Sequence, residues 1–419
     1  MIDLTELGKK AKKAAERLYF ASDKEIDSAL ALAAAAIPEN AEEIKAANKT
    51  DIINAEKKGL SAAFIDRLTI TDAVLSGMAE GLKQIAALKS PVGETVYGYE
   101  NAEQGIKIVK KKVPFGVIGI IFESRPNVTA DAFGLCLKTK NAVILKGGSD
   151  ALNSNIAVVK VLRSALEKAG LDGNAVSLIE DSSRETATEF MRLNKYVDLL
   201  IPRGGAGLIK AAVENATVPV IETGTGNCHV YVDESASPEM AAKVVFNAKT
   251  QRYSVCNACE SLVIHKAVAE KILPLIYDKL AEKQVEMRCD KESLRILSGR
   301  KNVVPATKED FYAEYCNAII SVKVADGLDD AIAHINEHST HHSESIITEN
   351  AENAEKFLNA IDSACVYHNA STRFSDGFIF GLGAEIGIST QKLHARGPMG
   401  LDALTTTKYI VKGDGAVRK

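Results

Sequence analysis

Cys256 lies in the stretch Gln251-Arg-Tyr-Ser-Val-Cys-Asn-Ala-Cys-Glu260, between a helix-like run from Pro238 to Lys249 and the strand-like run Ser261-Leu-Val-Ile-His265. A thiol flanked by Ser254, Asn257 and the basic Arg252 has the neighbours of a nucleophile, because the thiolate is the reactive form and polar or cationic groups keep it ionised. Most cysteines are instead small buried hydrophobes, the simplest reading of Cys259. The two also form a Cys-x-x-Cys pair, the spacing of a redox couple or of half a zinc site. A structural zinc site takes a second pair, and none of Cys136, Cys228, Cys289, Cys316 and Cys365 has a partner at that spacing. His334, His338 and His342 recur every fourth residue. Ser339-Thr340 ends a helix near residue 338, however, and the His-Glu-x-x-His order is missing, so no metal is expected.

Two further turns pair a cation with consecutive glycines, Lys146-Gly-Gly-Ser149 and Arg203-Gly-Gly205. Such turns let backbone N–H groups and a positive side chain approach a phosphate. The Gly-x-Gly-x-x-Gly fingerprint and the Walker lysine loop are both absent, which excludes a standard dinucleotide fold and a P-loop protein. A third polar turn is Glu123-Ser-Arg-Pro-Asn127.

The elements that must position these groups follow from the apolar pattern. Val113–Phe122, Ala142–Lys146, Val176–Ile179 and Val197–Pro202 are short, β-branched runs separated by helical patterns, and Val218-Pro-Val-Ile-Glu222 adds another. Near-continuous apolar strands between helices mean a parallel sheet covered on both faces, with ligands at the strands' carboxyl ends. The three turns stand at such ends.

Residues 1 to 90 read as four helices with apolar residues three and four apart: Ser22 or Asp23 caps the second, Pro38 and Asn40 open the third, and Thr71 starts the fourth. Residues 93 to 112 alternate apolar and basic residues as an exposed two-stranded element. Its match to Lys408-Tyr-Ile-Val-Lys412 suggests a subunit contact. A second domain begins after Thr-Gly-Thr-Gly-Asn-Cys-His229, with helices at 238–249, 266–283 and 327–337 and strands near 319–324 and 345–348.

At 419 residues the chain is long enough for two or three domains, and its formal net charge of −4 implies neither a nucleic-acid groove nor an anionic membrane surface. The first residues lack a signal-peptide pattern, and the longest apolar run is too short to span a bilayer. Seven scattered cysteines fit free thiols in a reducing compartment, so a cytoplasmic location is expected.

With the glycine turns, Glu222 and Cys256 in view, the chain resembles the aldehyde dehydrogenase superfamily. Glu222 and Cys256 stand at the spacing of its acidic residue and nucleophile, and Lys146 at the offset of its cofactor lysine. Phe122-Glu-Ser-Arg-Pro-Asn-Val-Thr129, Glu222-Thr-Gly-Thr-Gly-Asn-Cys-His229, Ala333-His-Ile-Asn-Glu-His-Ser-Thr-His-His-Ser-Glu344 and His394-Ala-Arg-Gly-Pro-Met-Gly-Leu401 resemble the signatures of its branch that reduces L-glutamyl 5-phosphate in proline biosynthesis. The resemblance spans essentially the whole chain.

It implies an α/β, aldehyde dehydrogenase-like fold of two α/β domains with parallel sheets and a small β oligomerisation arm. The cofactor-binding domain would be 1–99 and 115–222, the catalytic domain 223–395, and the arm 100–114 and 396–419. The implied catalytic residues are Cys256, Glu222, Asn127 and Arg125, and the implied cofactor-binding residues are Lys146, Gly147, Ser149, Ser124, Arg203, Gly204 and Gly205. Ser149 stands where many NAD-preferring relatives carry a glutamate. A serine accommodates a 2′-phosphate that a carboxylate would repel, so NADPH/NADP is the implied cofactor. Ser124, Arg125 and Asn127 all remain candidates for the oxyanion donor. Arg125 is the first choice to stabilise the leaving phosphate, with Arg203 and Arg396 behind it. Glu222 either manages a proton or orients Cys256. The resemblance also implies a homo-oligomer, a small-molecule substrate, L-glutamyl 5-phosphate, and glutamate 5-kinase as a candidate partner. The histidine run becomes part of the substrate side of the site.

Overall fold

Alanine- and leucine-rich segments with apolar residues three and four apart fold into the opening helices of a computed structural model that describes residues 3–123 and 125–418. They are α1 (Leu4–Phe20), α2 (Asp23–Glu39), α3 (Ala41–Lys57), α4 (Ala62–Leu68) and α5 (Asp72–Ala87). Ser22 caps α2 in a capping box with Glu25, and Thr71 caps α5. There are five helices here, not four. Ser61 caps the short α4, which the glycine at 59 separates from α3. Pro38 does not open α3 but lies in the last turn of α2, and Asn40 N–H still reaches the Ala36 carbonyl at 3.1 Å.

The chain divides into two compact units. The first comprises Met1–Glu222, Gly381–Gly387 and Met399–Lys419. After the helices come β1 (Thr95–Asn101), β2 (Ile106–Pro114), β3 (Val117–Phe122), α6 (Asn127–Lys138), β4 (Ala142–Lys146), α7 (Leu152–Lys168), β5 (Val176–Leu178), α8 (Arg184–Met191), β6 (Leu199–Arg203) and α9 (Ala206–Asn215). Strands β5-β4-β3-β6 form a parallel sheet, and every residue of β3, β4 and β5 is buried. The expected single run from Val113 to Phe122 breaks at Gly116. There φ is +125°, and an added Cβ would lie 2.4 Å from an Asp198 carboxylate oxygen. The run 218–222 forms one bridge to β6, because Pro219 has no N–H to extend a ladder.

The exposed ribbon is three-stranded: β2 pairs antiparallel with β1 and with the C-terminal strand Thr405–Gly413. The strand match expected between subunits is thus used within one chain. The ribbon begins at Thr95, not at 100, because Thr95 pairs with Lys111, and it belongs to the first compact unit. Residues 381–387 also belong to the first unit and not to the stretch 223–395.

The second unit comprises Thr223–Phe380 and Ile388–Pro398. Its elements are β7 (Cys228–Val232), α10 (Pro238–Thr250), β8 (Cys259–His265), α11 (Lys266–Ala281), β9 (Glu286–Cys289), α12 (Lys291–Ile296), β10 (Val303–Pro305), β11 (Ile319–Ala325), α13 (Leu328–His338), β12 (Ser343–Ile347), α14 (Ala351–Ala360) and β13 (Cys365–His368). A seven-stranded, wholly parallel sheet runs β10-β9-β11-β8-β7-β12-β13. Val230, Leu262, Val322 and the inner faces of α10 and α11 make its core. Among the described residues, no helix is long and apolar enough to cross a membrane.

Candidate active site

Cys256 sits in the turn between α10 and β8, closed by an Ala258 N–H to Val255 carbonyl bond of 3.0 Å, and its thiol residue is half-buried. Both ends of the loop are tied together beneath it. Lys249, at the end of α10, and Glu260, the second residue of β8, are fully buried and meet at 2.5 Å. Burial raises the Glu260 carboxyl and the Lys249 ammonium opposes the rise. Such a pair adds little net stability over an apolar pair, but losing one partner strands the other charge.

Two backbone contacts then set the orientation of Cys256. The buried Cys228 thiol donates to the Cys256 carbonyl at 3.1 Å, and a Cβ on Gly226 would sit 1.5 Å from that same oxygen. Only glycine lets the two chain segments approach this closely. Gly226 is itself held by its N–H to Glu314 at 2.8 Å. On the other side Asn257, 5% exposed, donates to the carbonyls of Arg373 (3.4 Å) and Ser375 (2.8 Å), and its own carbonyl accepts from Thr372 Oγ1 at 2.7 Å. The Asn257 Nδ2 and backbone carbonyl are paired in this way, while its Oδ1 has no partner among the described residues, and the paired groups hold the loop as a seat for the neighbouring side chain.

Cys259 points into the core, with burial pushing its thiol up to about 12, and its Sγ lies 3.3 Å from the Ser261 carbonyl. It packs as a small apolar residue. The histidines do not converge on a cation site. Burial pulls His334 down to about 2 and His342 down to about 4, so both imidazoles are neutral. The His334 ring packs, tilted by 31°, against His338 with ring centroids 4.1 Å apart, while His229 Nδ1 lies 3.0 Å from the Glu344 carboxylate. Among the described residues no three His, Cys, Asp or Glu side chains could hold a metal ion.

In the first unit, Lys146 ends β4 and is 4% exposed, and desolvation lowers its pKa while Asp181 raises it. A Cβ on Gly147 would lie 2.2 Å from Asn155 Nδ2, a buried amide nitrogen without a hydrogen-bond partner among the described residues. Ser149 is exposed at the start of a 3-10 turn. Asp150 beside it is engaged by Lys58 at 2.7 Å. In the turn Arg203-Gly204-Gly205 the Gly205 N–H donates to the Glu123 carboxylate at 3.0 Å, so an internal anion meets the amide at the N-cap of α9. Asn127 opens α6, and its Nδ2 donates to Asp131 at 3.2 Å. Burial raises the Asp131 carboxyl from its usual 3.8 to about 6. Arg125 is exposed beside this turn, and Glu222 is half-buried at the end of the unit. Ser124 lies outside the described residues. In the second unit Arg396 pairs with Asp362, at 2.8 Å to its carboxylate.

Sequence reasoning passed over Gly226, Arg373 and the Lys249–Glu260 pair. Gly226 had a signal, the glycine-rich run before β7. Arg373 and the ion pair had none, since nothing in residue spacing shows which distant segments meet.

Two parallel-sheet units with a half-buried thiol on a clamped loop define a class of enzyme. The aldehyde dehydrogenase family model matches residues 3–294 and 301–410, and the chain belongs to this family. Membership implies a nicotinamide cofactor. The chain is similar to the gamma-glutamyl phosphate reductase of Lachnospira eligens, at 55% identity over 419 residues and 100% of both chains. Similar too is the enzyme of that name from Agathobacter rectalis, 58% identical over 377 residues and 90% of both chains. The crystal structure of gamma-glutamyl phosphate reductase from Thermotoga maritima superposes with a TM-score of 0.97 at 46% identity, covering 100% of each chain.

Proposed function

We propose that this chain reduces L-glutamyl 5-phosphate to L-glutamate 5-semialdehyde and inorganic phosphate in proline biosynthesis, with NADPH as reductant and Cys256 as nucleophile. The observation that carries this reading is the end-to-end match, at 55% identity, to a relative named gamma-glutamyl phosphate reductase.

The Cys256 thiolate adds to the acyl carbon. The carbon–oxygen bond to phosphate breaks, its electron pair leaves with the phosphate, and a thioester remains. NADPH, when bound, supplies the hydride that reduces this thioester. The resulting thiohemiacetal collapses to the aldehyde and returns the thiol. Negative charge develops on the carbonyl oxygen at both steps, and the Cys256 backbone N–H with Arg125 or Asn127 are the donors proposed for it. Loss of one such donor typically costs about 100- to 1,000-fold in rate. Glu222 manages the thiohemiacetal proton or orients Cys256, a choice that activity of Glu222→Gln in both directions decides.

Lys146, Gly147, Ser149, Arg203, Gly204 and Gly205, together with Ser124, are proposed to hold the cofactor. The place of these turns at the carboxyl ends of β4 and β6 supports this, and the exposed Ser149 hydroxyl supports NADPH over NADH. The only carboxylate adjoining Ser149 in sequence, Asp150, is already neutralised by Lys58. The seven free cysteines support a cytoplasmic setting. The exposed Tyr97, Tyr99, Tyr409 and Val411 of the ribbon support a homo-oligomer, and glutamate 5-kinase is the proposed source of the labile acyl phosphate.

The test is the reverse reaction. Glutamate semialdehyde and NADP⁺ should give NADPH only when inorganic phosphate is present, and Cys256→Ala should abolish it. NADPH formation without phosphate would instead mark a hydrolytic dehydrogenase.

A further inference from the structure

Cys256 follows the carboxyl end of α10, the end of a helix that disfavours an anion, so cationic side chains must balance the charge that reaches this loop. Arg373 is placed to do so. It lies in the 3-10 turn Thr372–Phe374, which is bound through Thr372 and the Arg373 carbonyl to Asn257, the residue after the nucleophile. Its Nε donates to Gln251 Oε1 at 2.9 Å, five residues before the nucleophile, so the guanidinium is anchored against the same loop on its other side. The group is half-buried, yet among the described residues no carboxylate pairs with it and its two Nη groups carry no hydrogen-bond partner. Burial, and after it the neighbouring Arg252, hold its pKa below the ordinary range, while an ionised Cys256 and, more weakly, the Asp376 carboxylate pull it the other way. A half-buried Arg373 guanidinium with its Nη donors unspent, and the exposed Arg252 acting on it as a like charge, is unfavourable until an anion joins it.

We propose that Arg373, with Arg252 beside it, is the seat for the phosphoryl group that leaves when Cys256 is acylated, and for inorganic phosphate in the reverse direction. The inference rests on the acyl-phosphate reading above. As the sulfur–carbon bond forms and the carbon–oxygen bond breaks, the departing phosphate takes the electron pair, and the Arg373 Nη groups stabilise the charge it gains. This assigns to Arg373 a role first sought in Arg125, Arg203 or Arg396.

The experiment follows alkylation of Cys256 by iodoacetamide, a neutral reagent, by mass spectrometry of the Cys256 peptide at constant ionic strength without nicotinamide or aldehyde. Inorganic phosphate should slow alkylation saturably in the unaltered protein. Arg373→Gln should raise the half-protecting phosphate concentration roughly tenfold or more, the usual scale for a lost charge-assisted hydrogen bond, with Arg373→Lys in between. If Arg373→Gln unfolds, Arg373→Lys and Arg252→Gln carry the same test. Equal protection by glutarate, no protection by phosphate, or an unchanged half-protecting concentration in the folded variants overturns the seat. Because no turnover is needed, protection that depends on Arg373 in a protein without reductase activity upholds the seat and sinks the reductase reading. Normal phosphate dependence of turnover in Arg373→Gln does the reverse.

Discussion

In the first unit the polar turns at 123–127, 146–149 and 203–205 stand at the carboxyl ends of β3, β4 and β6, where ligands on parallel sheets usually gather. In the second unit the functional loops stand at the opposite edge. Gly226 and Asn227 precede β7, Cys256 precedes β8, and His342 precedes β12, all at the amino ends of parallel strands. The two regions are also held differently. The turns of the first unit leave groups such as Ser149 exposed and satisfy the Gly205 N–H with a side-chain carboxylate that a ligand could displace. The Cys256 loop is fastened by buried groups on every side. A cofactor must come and go, whereas a nucleophile must be in place before its substrate arrives, and preorganisation of that kind is what lowers a barrier.

The comparison breaks most visibly at the buried ion pair. Lys249→Met should cost about 3–5 kcal/mol in denaturant unfolding because it strands the Glu260 charge, and Lys249→Met with Glu260→Leu should recover most of that loss. A double variant as unstable as the single one would mean that the pair is not the clamp. Gly226→Ala comes next. Its Cβ must displace the Cys256 carbonyl, so we expect a loss of about 3 kcal/mol, the upper end for overpacking, with a clear change in Cys256 alkylation rate. An unperturbed melting temperature would show that the loop yields.

The smallest effect, in the first unit, depends on pH. The Asp131 pKa is raised from 3.8 to about 6, so the protonated form is the one the fold prefers. Its contribution is fully present below about pH 4 and is lost as pH rises through 6, a swing of about 2–3 kcal/mol at most. Asp131→Asn should therefore be more stable than the unaltered protein at pH 7.5, and the difference should shrink by pH 4. Equal gaps in melting temperature at the two pH values would contradict it. If Asn127 donates to the oxyanion, the substitution should also change turnover, since it alters the partner of the Asn127 amide.

Much of this molecule is local and was legible without coordinates. The three- and four-residue spacing of apolar residues sets the opening helices, the β-branched runs set the buried strands of the first sheet, and the polar neighbours of Cys256 single it out as the proposed nucleophile. Ser22 with Glu25 makes a capping box because both halves lie within four residues. Pro38 misled for the same reason of locality. A proline reads as a helix breaker or a first-turn residue, yet the last turn of α2 tolerates it.

What only the tertiary structure decided involves partners far apart in the chain. Lys249 and Glu260 bracket a loop, but that they meet, and in the dark of the core, depends on how β8 docks on α10. That Gly226 must be glycine follows from the path of the Cys256 carbonyl, not from any turn that Gly226 makes itself. Arg373 reads in sequence as one more surface arginine. Its half-buried, unspent guanidinium against the Cys256 loop exists only because Asn257 fastens residues 372–375 to that loop. Residue type and spacing encode chemistry and periodicity, but burial and proximity of distant charges arise when the sheet assembles, and they determine which of those charges is costly enough to need a ligand.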